Sequence, residues 1–134
     1  MKKLFFLMLL GIFALNMNAQ VNYYKASQFA YKCIEDGKWT EWTEWQESDV
    51  TFSFDKEKNV VKVYTEEKQT YVIVEDNGIH TDSSGGKQVK YTVIDQDGDK
   101  GMIRFREEKN GNQQLYVEYD DIMWVYSGIK KITR

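Results

Sequence analysis

The chain has 134 residues, a formal net charge of −3, one Cys, one His and no Pro. That length holds one domain with one core. The mild acidity excludes a general nucleic-acid binder, which needs a basic surface to neutralise phosphate. A single Cys excludes an intramolecular disulfide, and one His beside one Cys leaves no ligand set for a structural zinc.

The first predicted element is a leader. Met1, Lys2 and Lys3 form a positive start, and residues 4–15 are apolar apart from Gly11. A run of that length suits the apolar part of a signal peptide and is too short to cross a bilayer as a helix. Asn16, Met17, Asn18 and Ala19 then supply a short polar end, so cleavage is predicted after Ala19. Met17 occupies a position that favours a small residue, and cutting one or two residues away is the alternative. The expected organisation is a signal peptide over 1–19 and a single β domain over 20–134. No Cys closely follows the leader and no second long apolar segment exists. The mature chain is therefore expected in the periplasm or the outside medium, with no membrane anchor after cleavage. The leader carries two lysines and no acid, so its removal takes the net charge to −5.

Residues 21–34 read as a strand or as a short helix, and the pattern does not choose. Asp36-Gly37, Asn77-Gly78, Asp97-Gly98 and Asn110-Gly111 are hairpin signals, because both residue types tolerate the turn's positive φ. Ser83, Ser84, Gly85 and Gly86 form a further loop. Val50, Phe52 and Phe54 alternate with Thr51 and Ser53, and residues 55–59 read as a charged turn. Residues 59–65 and 70–75 are nearly continuous in apolar character, as expected of strands covered on both faces. Val89, Tyr91 and Val93, then Ile103 and Phe105, then Leu115, Val117 and Tyr119 alternate cleanly with polar residues. These three runs are expected to form an antiparallel meander, with residues 122–126 as the last strand. The prediction is an all-β domain of seven to nine strands in up-and-down order. Such a sheet hides its face and edges by closing into a small barrel, with a two-layer sandwich as the alternative. Consecutive hairpins without long crossovers favour the barrel.

Trp39, Thr40, Glu41, Trp42, Thr43, Glu44 and Trp45 are the most unusual stretch. A regular strand puts Trp39 and Trp45 on one face and Trp42 on the other. The spacing resembles the tryptophan ladder of thrombospondin type 1 repeats, in which arginines interleave with the indoles by cation–π attraction. The resemblance covers seven residues, and that family depends on several disulfides that a chain with one Cys cannot form. Arg104 and Arg106, two apart on one strand face, are the expected cations of such a stack. The plain expectation is indoles in the core and at its half-buried rim, since Trp is rarely fully buried. Beside polar residues they also suit an aromatic platform for a glycan, an apolar ligand or a protein partner. The candidate ligand-binding residues are Trp39, Trp42, Trp45, Trp124, Arg104 and Arg106.

The remaining chemistry is sparse. Asp95, Asp97 and Asp99 surround Gly98, but a calcium loop beginning at Asp95 wants Gly at its sixth position and Glu at its twelfth, where Lys100 and Arg106 stand. The segment reads as a hairpin turn. Glu107, Glu108, Glu118, Asp120 and Asp121 form a carboxylate group that reads as a solvated edge, with a carboxylate hydrolase as the rival. His80 reads as a loop residue, and Cys33 as a small buried apolar residue. No catalytic set, metal ligand set or cofactor motif is identified.

The Lys-Lys leader with its Ala19-Gln20 junction, the Gly37 to Trp42 segment, the Asp95 to Gly98 turn and the close from Tyr119 to Tyr126 together resemble a group of small exported β-proteins common in Bacteroidota. The resemblance covers the chain and implies export and a one-domain β fold, with no activity attached. On strand count and meander order, lipocalin-like barrels are a weaker analogy, and an analogy of fold does not transfer function. The expected function is an exported, non-catalytic binding module for an apolar small molecule or a glycan. An interaction or inhibitor protein is the alternative.

Overall fold

A computed structural model describes residues 21–132. The predicted leader lies outside the described residues, which form strands and no helix. The strands are β1 (Val21–Lys25), β2 (Gln28–Glu35), β3 (Lys38–Trp39), β4 (Gln46–Glu47), β5 (Thr51–Asp55), β6 (Val60–Tyr64), β7 (Lys68–Thr81), β8 (Lys87–Asp95), β9 (Lys100–Glu107), β10 (Gln113–Glu118), β11 (Ile122–Ser127) and β12 (Lys130–Ile132). They form one antiparallel sheet of order β12-β1-β5-β6-β7-β8-β9-β10-β11-β2-β3, with β4 also paired to β2. From β5 to β11 each strand pairs with the next in sequence, which is the predicted meander. Residues 21–34, open on sequence grounds, are β1 and β2. Twelve segments exceed the seven to nine expected because long runs are interrupted. Joining β1 to β2, β3 to β4 and β5, and β11 to β12 leaves eight runs.

The two interruptions at Ala26–Ser27 and Gly128–Ile129 do not shift register. Lys25 faces Lys130 between β1 and β12, and Gln28 faces Ser127 between β2 and β11, three residues on in one strand and three back in the other. Ser27 donates its N–H to the Ser127 carbonyl at 3.0 Å across the gap. On its other side β1 pairs with β5 from Val21↔Asp55 to Lys25↔Thr51.

Alternation sorts the side chains into rows. Val89, Phe105, Leu115, Tyr126 and Phe29 are successive cross-strand partners on one face, as are Tyr91, Ile103, Val117, Trp124 and Tyr31. Asn22, Phe54, Val61 and Tyr71 continue the same side through β1, β5, β6 and β7. This is the core face. Val61, Val63, Val93, Ile103, Leu115 and Val117 have no exposed surface. Burying side chains of this size stabilises by about 1.5–3 kcal/mol each relative to exposure, before the entropic cost of ordering them.

The turns at Asp36-Gly37, Asp97-Gly98 and Asn110-Gly111 lie where the sequence puts them, and their glycines have φ of 77°, 85° and 92°. Asn77-Gly78 does not form a turn. It lies inside β7, where the register against β8 slips between Ile73 and Glu75 and again between Asp76 and Ile79. Gly78 takes φ 88°, Asp76 Oδ1 accepts its N–H at 2.8 Å, and Asn77 Nδ2 donates to Thr92 Oγ1 at 2.9 Å. Asn-Gly suits a glycine bulge as well as a hairpin, since both need a positive φ. The reversal falls instead at Asp82–Gly86, where Asp82 N donates to the Gly86 carbonyl at 2.9 Å. His80 is accordingly an exposed strand residue, not a loop residue, with Nε2 3.1 Å from the Asn77 carbonyl.

Candidate ligand-binding site

One end of the core face opens into an apolar cup of about 490 Å³. Its wall is built from Tyr24, Phe52, Phe54, Tyr91, Phe105 and Ile129, with Val89 beside them. These rings hold one another. Phe54 stacks on Phe105 with centroids 5.8 Å apart, Tyr91 stands edge-on to both at 6.1 and 6.3 Å, and Tyr24 stacks on Phe52 at 5.1 Å. Offset and edge-on pairs of this kind fix ring orientation, so the wall is preformed. Burial raises the hydroxyl pKa of Tyr91, with the nearby Asp76 charge adding to the effect. At the mouth lie Lys56, Lys87 and Glu107, together with Ile79, which is 70% exposed.

A second cavity of about 380 Å³ is lined by Phe29, Val50, Gln69, Trp124 and Tyr126 among others. Trp124, one of the sequence-predicted site residues, therefore belongs to the inner face. Its ring lies 5.9 Å from that of Tyr119, whose hydroxyl donates to Asp95 Oδ2 at 2.7 Å. That bond is the main reason the Asp95 carboxyl is held below its usual value, and its Oδ1 accepts from the backbone of Asp97 and Asp99 at 2.9 Å. Asp95 Oδ1 thus ties its own turn and Oδ2 ties that turn to Tyr119, while the Asp97 and Asp99 carboxylates beside it are exposed.

The other three indoles sit on the outer face, and all three share it. The expected split of Trp42 from Trp39 and Trp45 is wrong because the strand is not regular. Trp39 faces Ile34, and Gln46 faces Phe29, so eight residues on this side span six on β2. The two extra residues are accommodated by the threonines. Thr40 N donates to the Cys33 carbonyl and Cys33 N donates to Thr40 Oγ1, at 2.8 and 3.1 Å. Thr43 repeats this with Tyr31 at 2.9 and 3.1 Å. Each hydroxyl stands in for the threonine's own carbonyl, and one residue is inserted per Trp-Thr-Glu unit. A three-residue repeat then advances two residues along β2, which returns every indole to one side.

This outer layer is a cation–π ladder, but not the one expected. Lys32 Nζ lies 5.6 Å from the Trp39 ring and 5.0 Å from the Trp42 ring. Trp42 meets Tyr116 edge-on at 6.1 Å, and the Arg104 guanidinium lies 3.9 Å from the Tyr116 ring. Arg104 also pairs with Glu118, and its Nη1 donates to Gln88 Oε1 at 2.9 Å, so among the described residues its ring partner is Tyr116 and not an indole. Trp39, Trp42 and Trp45 remain 40%, 38% and 48% exposed, while Ala30 and Val125, which face the same way by register, are 2% exposed. The ladder covers them.

Arg106 is separate from this ladder and borders the cup. Its Nε donates to Asp82 Oδ2 at 2.8 Å, Nη2 to Ser84 Oγ at 2.9 Å and Nη1 to Gln114 Oε1 at 3.1 Å. The hydrogen bond from Arg106, then that from the Ser84 hydroxyl, holds the Asp82 carboxyl well below the usual carboxylate range. The carboxylate group also divides: Glu118 is held by Arg104, Glu108 accepts from Asn112 at 2.6 Å, Glu107 borders the cup, and Asp120 and Asp121 are exposed. Cys33 is half-buried, with Sγ 4.0 Å from Glu35 Oε1.

Sequence reasoning did not single out the cup. Its signal was present as aromatics at alternating positions, Phe52 with Phe54 on β5 and Tyr91 diagonal to Phe105 on β8 and β9, but their convergence needs the sheet to fold over its own core. No protein-family model, no curated protein and no solved structure matches this chain.

Proposed function

We propose that this chain is an exported, non-catalytic binding module that takes a small apolar molecule into the aromatic cup. The scaffold is read as an eight-run up-and-down barrel. Support for closure comes from the unshifted register across Ala26–Ser27 and Gly128–Ile129. It lets β1 join the β11–β12 run on one side and β5 on the other. Export rests on the leader pattern of residues 1–19.

The observation that carries the reading is the cup itself. Its volume of about 490 Å³ and its six-residue apolar wall fall in the range of small-molecule sites, which are concave, mainly apolar and largely preformed. The test is titration of the mature protein with the neutral dye N-phenyl-1-naphthylamine. Saturable emission enhancement is expected, and Val89→Trp, which fills the cup, should abolish it while the far-ultraviolet dichroism is unchanged. Absence of saturable enhancement in the native protein would remove the reading.

A second reading, of the outer indole layer as a glycan or protein platform, is favoured by the exposure of Trp39, Trp42 and Trp45. Against it, Lys32 already lies over two of the three rings. Quenching of Trp emission by an oligosaccharide panel distinguishes it from the cup, which contains no Trp.

A further inference from the structure

The wall of the cup is apolar, and its mouth is predominantly cationic. Resting on the reading of the cup as a binding pocket, we propose that its ligand is an anionic amphiphile, with the apolar body against the rings and a carboxylate-type head among Lys56, Lys87 and Lys131.

Besides Arg106, which also lines the cavity but is paired with Asp82, three positions place positive charge there. Lys56 and Lys87 line the cavity. Lys87 precedes Val89 by two residues on β8, so both project to the core side. Lys131 faces Tyr24 across the β1–β12 pairing, and directly opposed residues project to the same side. It also follows Ile129 by two residues, and Tyr24 and Ile129 are both wall residues. The Lys56 ammonium is disfavoured first by burial and then by the charge of Lys131, which places these two cations within each other's field.

The counter-charge at the mouth is small. Glu107 is the one carboxylate that lines the cavity. It lies opposite Lys87 in the register, yet Lys87 makes no ion pair among the described residues. Like charges gathered over a low-dielectric wall focus a positive potential into the cup. An anionic head relieves that repulsion, a neutral head does not, and a cationic head adds to it. The same wall gives the ligand its apolar contact area, so neither half alone uses the whole site.

Displacement of bound N-phenyl-1-naphthylamine by decanoate, decan-1-ol and decylamine tests this, since the three probes share one chain and differ in head. At about pH 8, where decanoate is ionised, decanoate should displace the dye at a concentration at least about tenfold below that of decan-1-ol. Decylamine should be the weakest. High salt should narrow the gap, because the mouth is open to solvent. In Lys56→Gln/Lys87→Gln/Lys131→Gln the ratio of decanoate to decan-1-ol should fall towards one, with circular dichroism confirming the fold. Equal displacement by decanoate and decan-1-ol in the native protein overturns the proposal and leaves the pocket reading standing. So does a preference that survives in the triple variant. A dye that never binds removes the pocket reading and this proposal with it.

Discussion

Replacing Thr40 and Thr43 with Val removes two hydroxyl acceptors while keeping the branched shape at each position. The Cys33 and Tyr31 N–H groups then lose the acceptors that lie 3.1 Å from each. A hydrogen bond of this kind contributes about 0.5–1.5 kcal/mol net. The Cys33 bond is half-buried and the Tyr31 bond is exposed, so water replaces the second more readily. The expected loss is about 1 kcal/mol for Thr40→Val, about 0.5 kcal/mol for Thr43→Val and about 1.5 kcal/mol for both. The inserted glutamates provide the control: Glu41→Ser and Glu44→Ser touch no acceptor and should change stability by less than about 0.5 kcal/mol. Urea unfolding followed by Trp emission and by circular dichroism measures both effects. The emission spectrum should also shift in the double variant, because loosening the bulges moves Trp39 and Trp42 relative to Lys32. If the double variant keeps both its unfolding midpoint and its emission spectrum, the threonine hydroxyls do not hold the indoles in register.

Other consequences are measurable. Lys32→Met should cost about 0.5–1 kcal/mol through the loss of cation–π attraction and should alter Trp emission. Arg104→Gln should perturb the same spectrum through Tyr116, whereas Arg106→Gln should leave it unchanged. Asp82→Asn should lower stability at neutral pH. Because the folded Asp82 carboxyl titrates below its unfolded value, its contribution is present above the unfolded value and is lost as pH falls through the folded one. The variant should therefore lose part of the native protein's acid sensitivity in urea melts across that range. Burial pushes the Tyr126 hydroxyl up to about 12. Its contribution to stability is full below the unfolded value of about 10 and lost as pH rises through the folded one, so tyrosinate absorbance should gain the Tyr126 component at about pH 12, together with the loss of near-ultraviolet dichroism. Gly101→Ala places a Cβ 3.0 Å from the Tyr119 ring and 3.2 Å from the Glu118 carbonyl. Such overpacking should cost about 1–3 kcal/mol in a urea melt.

The alternating runs of β8, β9 and β10 were legible because polar and apolar residues alternate without interruption and each turn has a residue pair that tolerates positive φ. Asn77-Gly78 was misleading because the same pair serves a hairpin and a bulge, and only the pairing of β7 with β8 tells them apart. The indole stretch failed for a related reason. Strict alternation assigns Trp42 to the opposite face, and nothing in the spacing says that Thr40 and Thr43 insert a residue per unit. Arg104 and Arg106 look equivalent two residues apart, yet Asp82, brought close by the Ser83–Gly86 loop, takes Arg106 into its own network.

By itself the sequence determined the strand-rich class, the up-and-down order and the absence of a disulfide staple. These follow from local pattern: period-two alternation, turn residues and a cysteine count. Only the tertiary structure decided what the aromatic residues do. Phe54, Tyr91 and Phe105 come from three strands, and Phe54 on β5 meets the other two across the core, not along a paired strand, which no local pattern encodes. The three indoles that dominate the sequence form an outer layer over Ala30 and Val125, because an inserted residue at each threonine turns them all to the same side.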